Sequence, residues 1–263
     1  MLEIVDYDIY GWQHAIKGMR LPMNSGNMSD SFWYDRELNR PQQSQSIVDH
    51  ILYTAQGGRF CYIAGENDLK LMRTLARGAG SDRKFMRMIQ VWVFIKAPMY
   101  WWKEFDTYKV GTVRDSSSTM HKIHAKEFTI QDFSHEHFCD LEAQDGIVGF
   151  DDLYIDPETE GATALPIHTP KQSLQATIDI LNFYRQKYLD TKDKKYWWQL
   201  IQLLPSPYNQ ISCVNLNYEV LRTMWHDRHN HKLDEWHVFC HWIETLPLSN
   251  YLLCNEETKS NKE

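Results

Sequence analysis

The chain lacks most of the signatures that assign a function at once. Among its 263 residues there are 5 cysteines, at positions 61, 139, 213, 240 and 254, and no C-x-x-C. An odd, widely spaced set argues against a disulfide framework or a paired-cysteine zinc site and predicts reduced thiols in a cytoplasmic chain. No apolar run reaches the roughly 18 residues that a spanning helix needs, so no membrane segment is expected. The opening Met1-Leu-Glu-Ile-Val-Asp-Tyr-Asp has no basic stretch followed by an apolar one, and no secretory leader is expected either. There is no Gly-rich phosphate loop, no G-x-S-x-G elbow, no internal repeat and no heptad array. A basic run is also missing, which predicts no duplex nucleic-acid partner.

What is present is uneven. The net charge of -7 comes from one stretch: between Ser134 and His168 there are nine carboxylates and no Lys or Arg, leaving 28 basic and 26 acidic residues elsewhere. Turn signals at Asp145-Gly146, Asp156-Pro157 and Glu160-Gly161 mark this stretch as an acidic insertion or lid, with a short strand near Gly146 to Phe150. Aromatic residues make 13% of the chain, with 10 Trp, 14 Tyr and 11 Phe. Such rings pack cores and subunit contacts, and their faces also suit flat ligands.

The order of elements predicts a mixed α/β domain spanning 1 to 263, with a helical C-terminal half. A short strand at the start gives way to a helix at Gly11-Trp12-Gln13-His14-Ala15-Ile16, then a polar turn at Asn24 to Asn27. Residues 37 to 46 read as a loop, and Asp68 to Arg77 as a helix stopped by Gly78-Ala79-Gly80. In Met88 to Lys96, Ile89, Val91, Val93 and Ile95 alternate with Gln90, Trp92, Phe94 and Lys96, which predicts a central strand covered on both faces and ended by Ala97-Pro98. A helix then runs from Pro98 through Tyr108 until Gly111. Thr169, Pro170 and Gln172 form a capping box for the next helix. Another spans about Lys192 to Leu204. The last runs from about Asn217 to Thr245, with a kink or break available at His229-Asn230-His231.

Several groups could carry chemistry. His237 and His241 have the i,i+4 spacing of a metal pair but no third ligand, so no metal is predicted. His226, His229 and His231 read as polar-face residues or ligand contacts. Ser116, Ser117 and Ser118 suit a nucleophile, an anion-binding turn or a solvated loop. Arg228 shares the helical line of Leu221, Met224 and Trp225, which turns a guanidinium toward the apolar side and demands a partner. That partner is a carboxylate such as Asp227 or Glu235 of a neighbouring subunit, or Asp106, or else a flat polar ligand edge.

At Val93-Phe94-Ile95-Lys96-Ala97-Pro98-Met99-Tyr100, with the aromatic helix and Ser-rich segment that follow, the chain resembles the flavin-dependent thymidylate synthases. Leu203-Leu204-Pro205 and the helix from Asn217 to Arg228 are similar to later segments of that family, and Glu235-Trp236 falls near its Gln-x-Glu stretch. The resemblance implies a ThyX-like fold, a mixed sheet with flanking helices, and a homotetramer. It implies a protein that binds a pyrimidine deoxynucleotide and transfers a folate-derived one-carbon unit to C5 of the base, using FAD and NADPH. It assigns Arg228, Glu104, Lys109, Thr112, Ser118 and His121 to the nucleotide, and Asn217, Tyr108, Thr107 and Arg87 to the flavin, with no protein nucleophile. Departures are specific: Thr107-Tyr108-Lys109 stands where the family has Arg-His-Arg, and Ser118-Thr119-Met120-His121 replaces a Ser-x-Arg-Tyr. A second family Arg falls on Ile201. Lys109, Arg114, His121 and Lys122 then remain to hold a phosphate. A non-catalytic nucleotide-binding or sequestering protein on the same fold, and a structural or interaction protein, are the alternatives.

Overall fold

The structure, a computed structural model, describes residues 1–35, 37, 51–55, 59–138, 153–155, 162–164 and 169–254. It forms two compact units interleaved along the chain. One comprises Met1, Ala97–Trp102 and Ser117–Gln210; the other comprises Leu2–Lys96, Lys103–Ser116 and Ile211–Glu263.

Most strands lie in the second unit, and β5 and α3 pass between the two. In chain order the elements are β1 (Glu3–Tyr10), α1 (Trp12–Arg20), β2 (Phe32–Asp35), β3 (Ile51–Ala55), β4 (Phe60–Ile63), α2 (Glu66–Ala76), β5 (Gln90–Pro98), α3 (Met99–Phe105) and β6 (Val113–Ser116). Helix α1 presents Trp12, Ala15, Ile16 and Met19 on one stripe, the i, i+3, i+4, i+7 spacing of a core-facing helix. Its N-cap, Gly11, has φ +95°, and a β-carbon there would stand 2.1 Å from the Met88 carbonyl oxygen, so only glycine fits.

The remaining elements are β7 (Leu153–Ile155), β8 (Ala162–Ala164), α4 (Pro170–Thr191), α5 (Lys194–Leu203), β9 (Asn209–Asn217), α6 (Tyr218–Arg228), α7 (Asp234–Thr245) and α8 (Ser249–Leu252). The main sheet has the order β1-β5-β9-β6, with β1 antiparallel to β5 and β6 antiparallel to β9. β2, β4 and β3 form a second antiparallel sheet, and β7 and β8 a two-stranded pairing. The first unit has its own core of Ile123, Phe128, Phe133, Leu174, Ile178, Leu181 and Leu200. Thr169 caps α4 as its sequence predicts, with the reciprocal Gln172 bond present.

The mixed α/β class holds, while local details depart from expectation and strand β9 was not anticipated. β5 is buried on one face, where Val91, Val93 and Ile95 are inaccessible, whereas Trp92 and Phe94 on the other remain 48% and 44% exposed among the described residues. Apolar alternation on both faces of a strand specifies two sticky faces, and among the described residues one of them is covered. Ala97-Pro98 closes β5 from within the strand, and the helix after it stops at Phe105, short of Tyr108. Residues 209–217 are strand β9, where polar Ser212 and Asn215 obscure the alternation. The helix expected from Asn217 to Thr245 is two helices, with the break at 229–233 that His229-Asn230-His231 offered. The strand expected near Gly146 to Phe150, most of the acidic insertion at 134–168 and nearly all of the 37–46 loop lie outside the described residues.

Candidate functional site

The last turn of α3, the turn that follows it and the C-terminal end of α6 converge within the strand-based unit. Glu104, in the last turn of α3, meets Arg228 at the end of α6, and Arg228 Nη1 donates to Glu104 Oε2 at 3.2 Å. Arg228 Nε donates to the Tyr108 hydroxyl at 2.9 Å, and that hydroxyl donates to Asp227 Oδ2 at 3.2 Å. The Trp236 indole N–H reaches the same Glu104 oxygen at 2.9 Å, and His231 Nε2 lies 3.4 Å from it. Three groups therefore crowd one carboxylate oxygen. Among the described residues, Glu104 Oε1 and Arg228 Nη2 have no hydrogen-bond partner.

Rings frame this cluster. The guanidinium carbon lies 5.0 Å from the Trp236 ring centroid and 5.6 Å from that of Tyr108, within cation–π range. Tyr108 and Trp236 meet edge to face at 6.2 Å. Burial pushes the Tyr108 hydroxyl above its ordinary pKa, against the opposing pull of Arg228, so it stays a neutral donor to Asp227 at physiological pH. Arg228 and Glu104 are 21% and 36% exposed, so this pair keeps contact with solvent and with anything that solvent carries.

Next to the cluster, and sharing Tyr108 with it, is a cavity of about 490 Å³. Its walls include Thr107, Tyr108, Lys109, Arg87 and Asn217, with Val110 and Val220 supplying apolar surface. Asn217 caps α6, its Oδ1 accepting from the Val220 N–H at 3.1 Å. Gly111 has φ +77°, and a β-carbon there would stand 2.9 Å from Asn217 Nδ2. The missing side chain keeps that amide approachable. Glu219 also lines the cavity but is held by Arg83 at 3.1 and 3.2 Å.

The residues assigned to the flavin, Asn217, Tyr108, Thr107 and Arg87, thus all border one cavity, together with Lys109. Of those assigned to the nucleotide, Arg228 and Glu104 meet in the adjoining cluster. Thr112 lies outside both, its buried Oγ1 without a hydrogen-bond partner among the described residues. Ser118 and His121 belong to the other unit. There the Ser118 hydroxyl accepts from the N–H groups of Met120 and His121 at 3.2 and 2.9 Å, the signature of a local turn. Asp106 pairs with Arg114 at 2.8 Å, so it is Glu104 that serves Arg228. His237 and His241 lie beside Asp234 and Glu244 of their own helix, and no group of three or more His, Cys, Asp or Glu side chains able to hold a metal occurs among the described residues. Sequence reasoning missed the Trp236 N–H as a donor. An indole buried on a helix beside an Arg line needs an acceptor, and that was the available signal.

No family model and no curated protein matches the chain. Solved structures do. Thymidylate synthase X from Helicobacter pylori with FAD and dUMP is similar over 96% of both chains, at a TM-score of 0.56 and 13% identity. The chain has the thymidylate synthase X fold. A UMP/dUMP methylase, PolB from Streptomyces cacaoi bound with 5-Br dUMP, is similar over 95% of this chain and 92% of that one, at a TM-score of 0.50 and 11% identity. At these identities it is the fold that is shared.

Proposed function

We propose that this chain binds a pyrimidine deoxynucleotide beside FAD and transfers a folate-derived one-carbon unit to C5 of the base, with NADPH as reductant. The observation that carries the reading is the partly exposed Glu104–Arg228–Tyr108 cluster abutting the cavity. Two structural neighbours whose crystals hold dUMP or its bromo analogue support it.

The cavity residues fit the groups proposed. At about 490 Å³ it is within the roughly 300–1,000 Å³ of small-molecule sites. The Tyr108 ring and the two valines offer flat apolar surface, the Asn217 amide lies behind Gly111, and Arg87 and Lys109 supply charge for a phosphate. FAD, when bound, supplies the redox chemistry. This chain's part is to orient: Glu104 fixes one side of the Arg228 fork, leaving Nη2 to donate to a pyrimidine carbonyl and to stabilise negative charge that develops on the ring. Lys109 alone keeps a positive charge where the resembling family has two arginines, and each lost charge-assisted bond is worth roughly 1.5–3 kcal/mol. Phosphate affinity is therefore expected to be modest. A homotetramer belongs to the same proposal, supported by the uncovered Trp92 and Phe94 face of β5. So does a cytoplasmic location; no helix among the described residues is long and apolar enough to cross a membrane.

A second reading, nucleotide binding without turnover, is favoured by Tyr108, which cannot take over the charge of the histidine in the resembling motif. The test is the visible absorption spectrum of the purified protein, followed by incubation with dUMP, methylenetetrahydrofolate and NADPH. A flavin band and a methylated product are expected. Colourless protein that takes up no FAD and does not bind dUMP or dCMP would refute the proposal, and binding without product would leave only the second reading.

A further inference from the structure

The unit that does not contain the cavity carries a surface whose chemistry differs from the rest of the chain. Residues 183–198, the end of α4 and the start of α5, hold five basic and two acidic residues within a protein of net charge -7, together with six aromatic rings. Helices α4 and α5 pack against each other as a hairpin whose core-facing positions are Leu174, Ile178, Leu181 and Leu200; Tyr184 leans on that core, Tyr188, Tyr196 and Trp197 are half-buried, and Phe183 and Trp198 face outward. Phe183 and Trp198 are 56% and 44% exposed.

The rings and cations are interleaved. Lys187 lies 5.5 Å from the Phe183 ring, Lys195 lies 4.7 Å from Tyr196, and Lys194 lies within 6 Å of both Trp197 and Trp198. Tyr184 and Tyr196 stack across the two helices with centroids 6.2 Å apart and planes 30° from parallel. Trp197 is fixed by its N–H, which donates to the Met120 carbonyl at 3.1 Å. The acidic residues are held locally, Asp190 by Gln186 and Asp193 by the backbone and ammonium of Lys195. Lys187 and Lys194 have no carboxylate partner among the described residues.

We propose that the α4–α5 hairpin is a binding surface for single-stranded nucleic acid. A single strand presents exposed base faces and a phosphate on every nucleotide, and proteins that hold it pair aromatic platforms with a cationic track. A duplex hides its base faces in its own stack, so the absence of a duplex-type basic run is no obstacle. An interfacial membrane helix needs a continuous apolar face, whereas Gln186, Asp190, Thr191 and Gln199 interrupt the exposed rings here.

The test is fluorescence anisotropy of a labelled oligothymidylate of about 20 nucleotides, long enough for a site of roughly 4–16 nucleotides, titrated with the full chain over a series of salt concentrations. Binding at low salt, tighter than to a duplex of equal length, is expected. Trp198→Ala should weaken it about fivefold or more. Lys187→Gln with Lys194→Gln should reduce the slope of log K against log salt by about 1.4. All three positions are exposed, and unchanged melting midpoints check that the variants fold. No binding at low salt, equal affinity for the duplex, or undiminished binding by both variants would overturn the proposal. So would adsorption to phosphatidylserine vesicles by a protein that ignores the oligonucleotide.

Discussion

Two arginine–carboxylate pairs in the strand-based unit differ in burial and in how fully their carboxylates are used. Arg20 Nε donates to Asp68 Oδ1 at 2.5 Å, with side chains 4% and 0% exposed. The second Asp68 oxygen accepts from the hydroxyls of Ser29 and Ser31 and the backbone N–H groups of Asp30 and Ser31. That carboxylate is saturated, and it ties the loop before β2 to α1 and α2. Glu104 and Arg228, by contrast, meet at 3.2 Å, partly exposed, with one oxygen and one guanidinium nitrogen unspent among the described residues. Each arginine keeps one nitrogen without a partner among the described residues, but that of Arg20 is sealed from solvent beside a saturated carboxylate. Such a pair holds a fold, whereas a partly exposed one with a carboxylate oxygen to spare, at the edge of a cavity, has capacity left for a ligand.

The comparison breaks most visibly at Asp68. Asp68→Ala strands a buried guanidinium and should cost about 3–5 kcal/mol, read by chemical denaturation. Its pH dependence has a definite sign. Burial pushes the Asp68 carboxyl up, but hydrogen bonds from Ser31, Ser29 and Arg20 together hold it below the usual carboxylate value. A depressed folded pKa contributes stability that is present above the unfolded value of about 3.9 and lost as pH falls through the folded one. The stability gap between wild type and Asp68→Asn should therefore narrow below about pH 4; a constant gap would show that the carboxylate's charge is irrelevant.

Arg228→Ala should behave in the opposite way. A partly exposed ion pair is worth roughly 0–1 kcal/mol, so unfolding should change little while dUMP affinity, measured by calorimetry, falls tenfold or more. Gly111→Ala comes next. It forces a side chain to φ +77° and crowds Asn217 Nδ2, so a loss of about 1–2 kcal/mol is expected together with weaker FAD uptake. Smallest is Asn217→Ala, which removes the α6 cap for about 0.5–2 kcal/mol, with Asn217→Ser recovering most of the stability and little of the flavin binding. Equal recovery of both would reduce Asn217 to a cap.

Much of this contrast was legible in residue spacing. The line of Leu221, Met224 and Trp225 turns Arg228 inward, and the Thr169 capping box starts α4 where the sequence indicates. What spacing does not reveal is a partner 124 residues away, because Glu104 meets Arg228 only once α3 and α6 have packed. β9 was hidden because Ser212 and Asn215 interrupt its apolar alternation. The exposed face of β5 was misread for the opposite reason, since Trp92 and Phe94 are as apolar as the residues that are buried. The Arg20–Asp68 knot was equally illegible, for nothing local links α1 to α2. It is the α4–α5 rings that remain the least decided by pattern: Tyr184 packs on the core while its neighbour Phe183 faces solvent.

Whether the Glu104–Arg228 pair is a binding element is tested most directly by the melting midpoint of wild type and Arg228→Ala with and without dUMP. The expected result is ligand-free midpoints that nearly coincide, with dUMP raising only that of the wild type. If Arg228→Ala instead melts as early as Asp68→Ala, or dUMP stabilises both proteins equally, Arg228 is a structural residue like Arg20 and the site lies elsewhere.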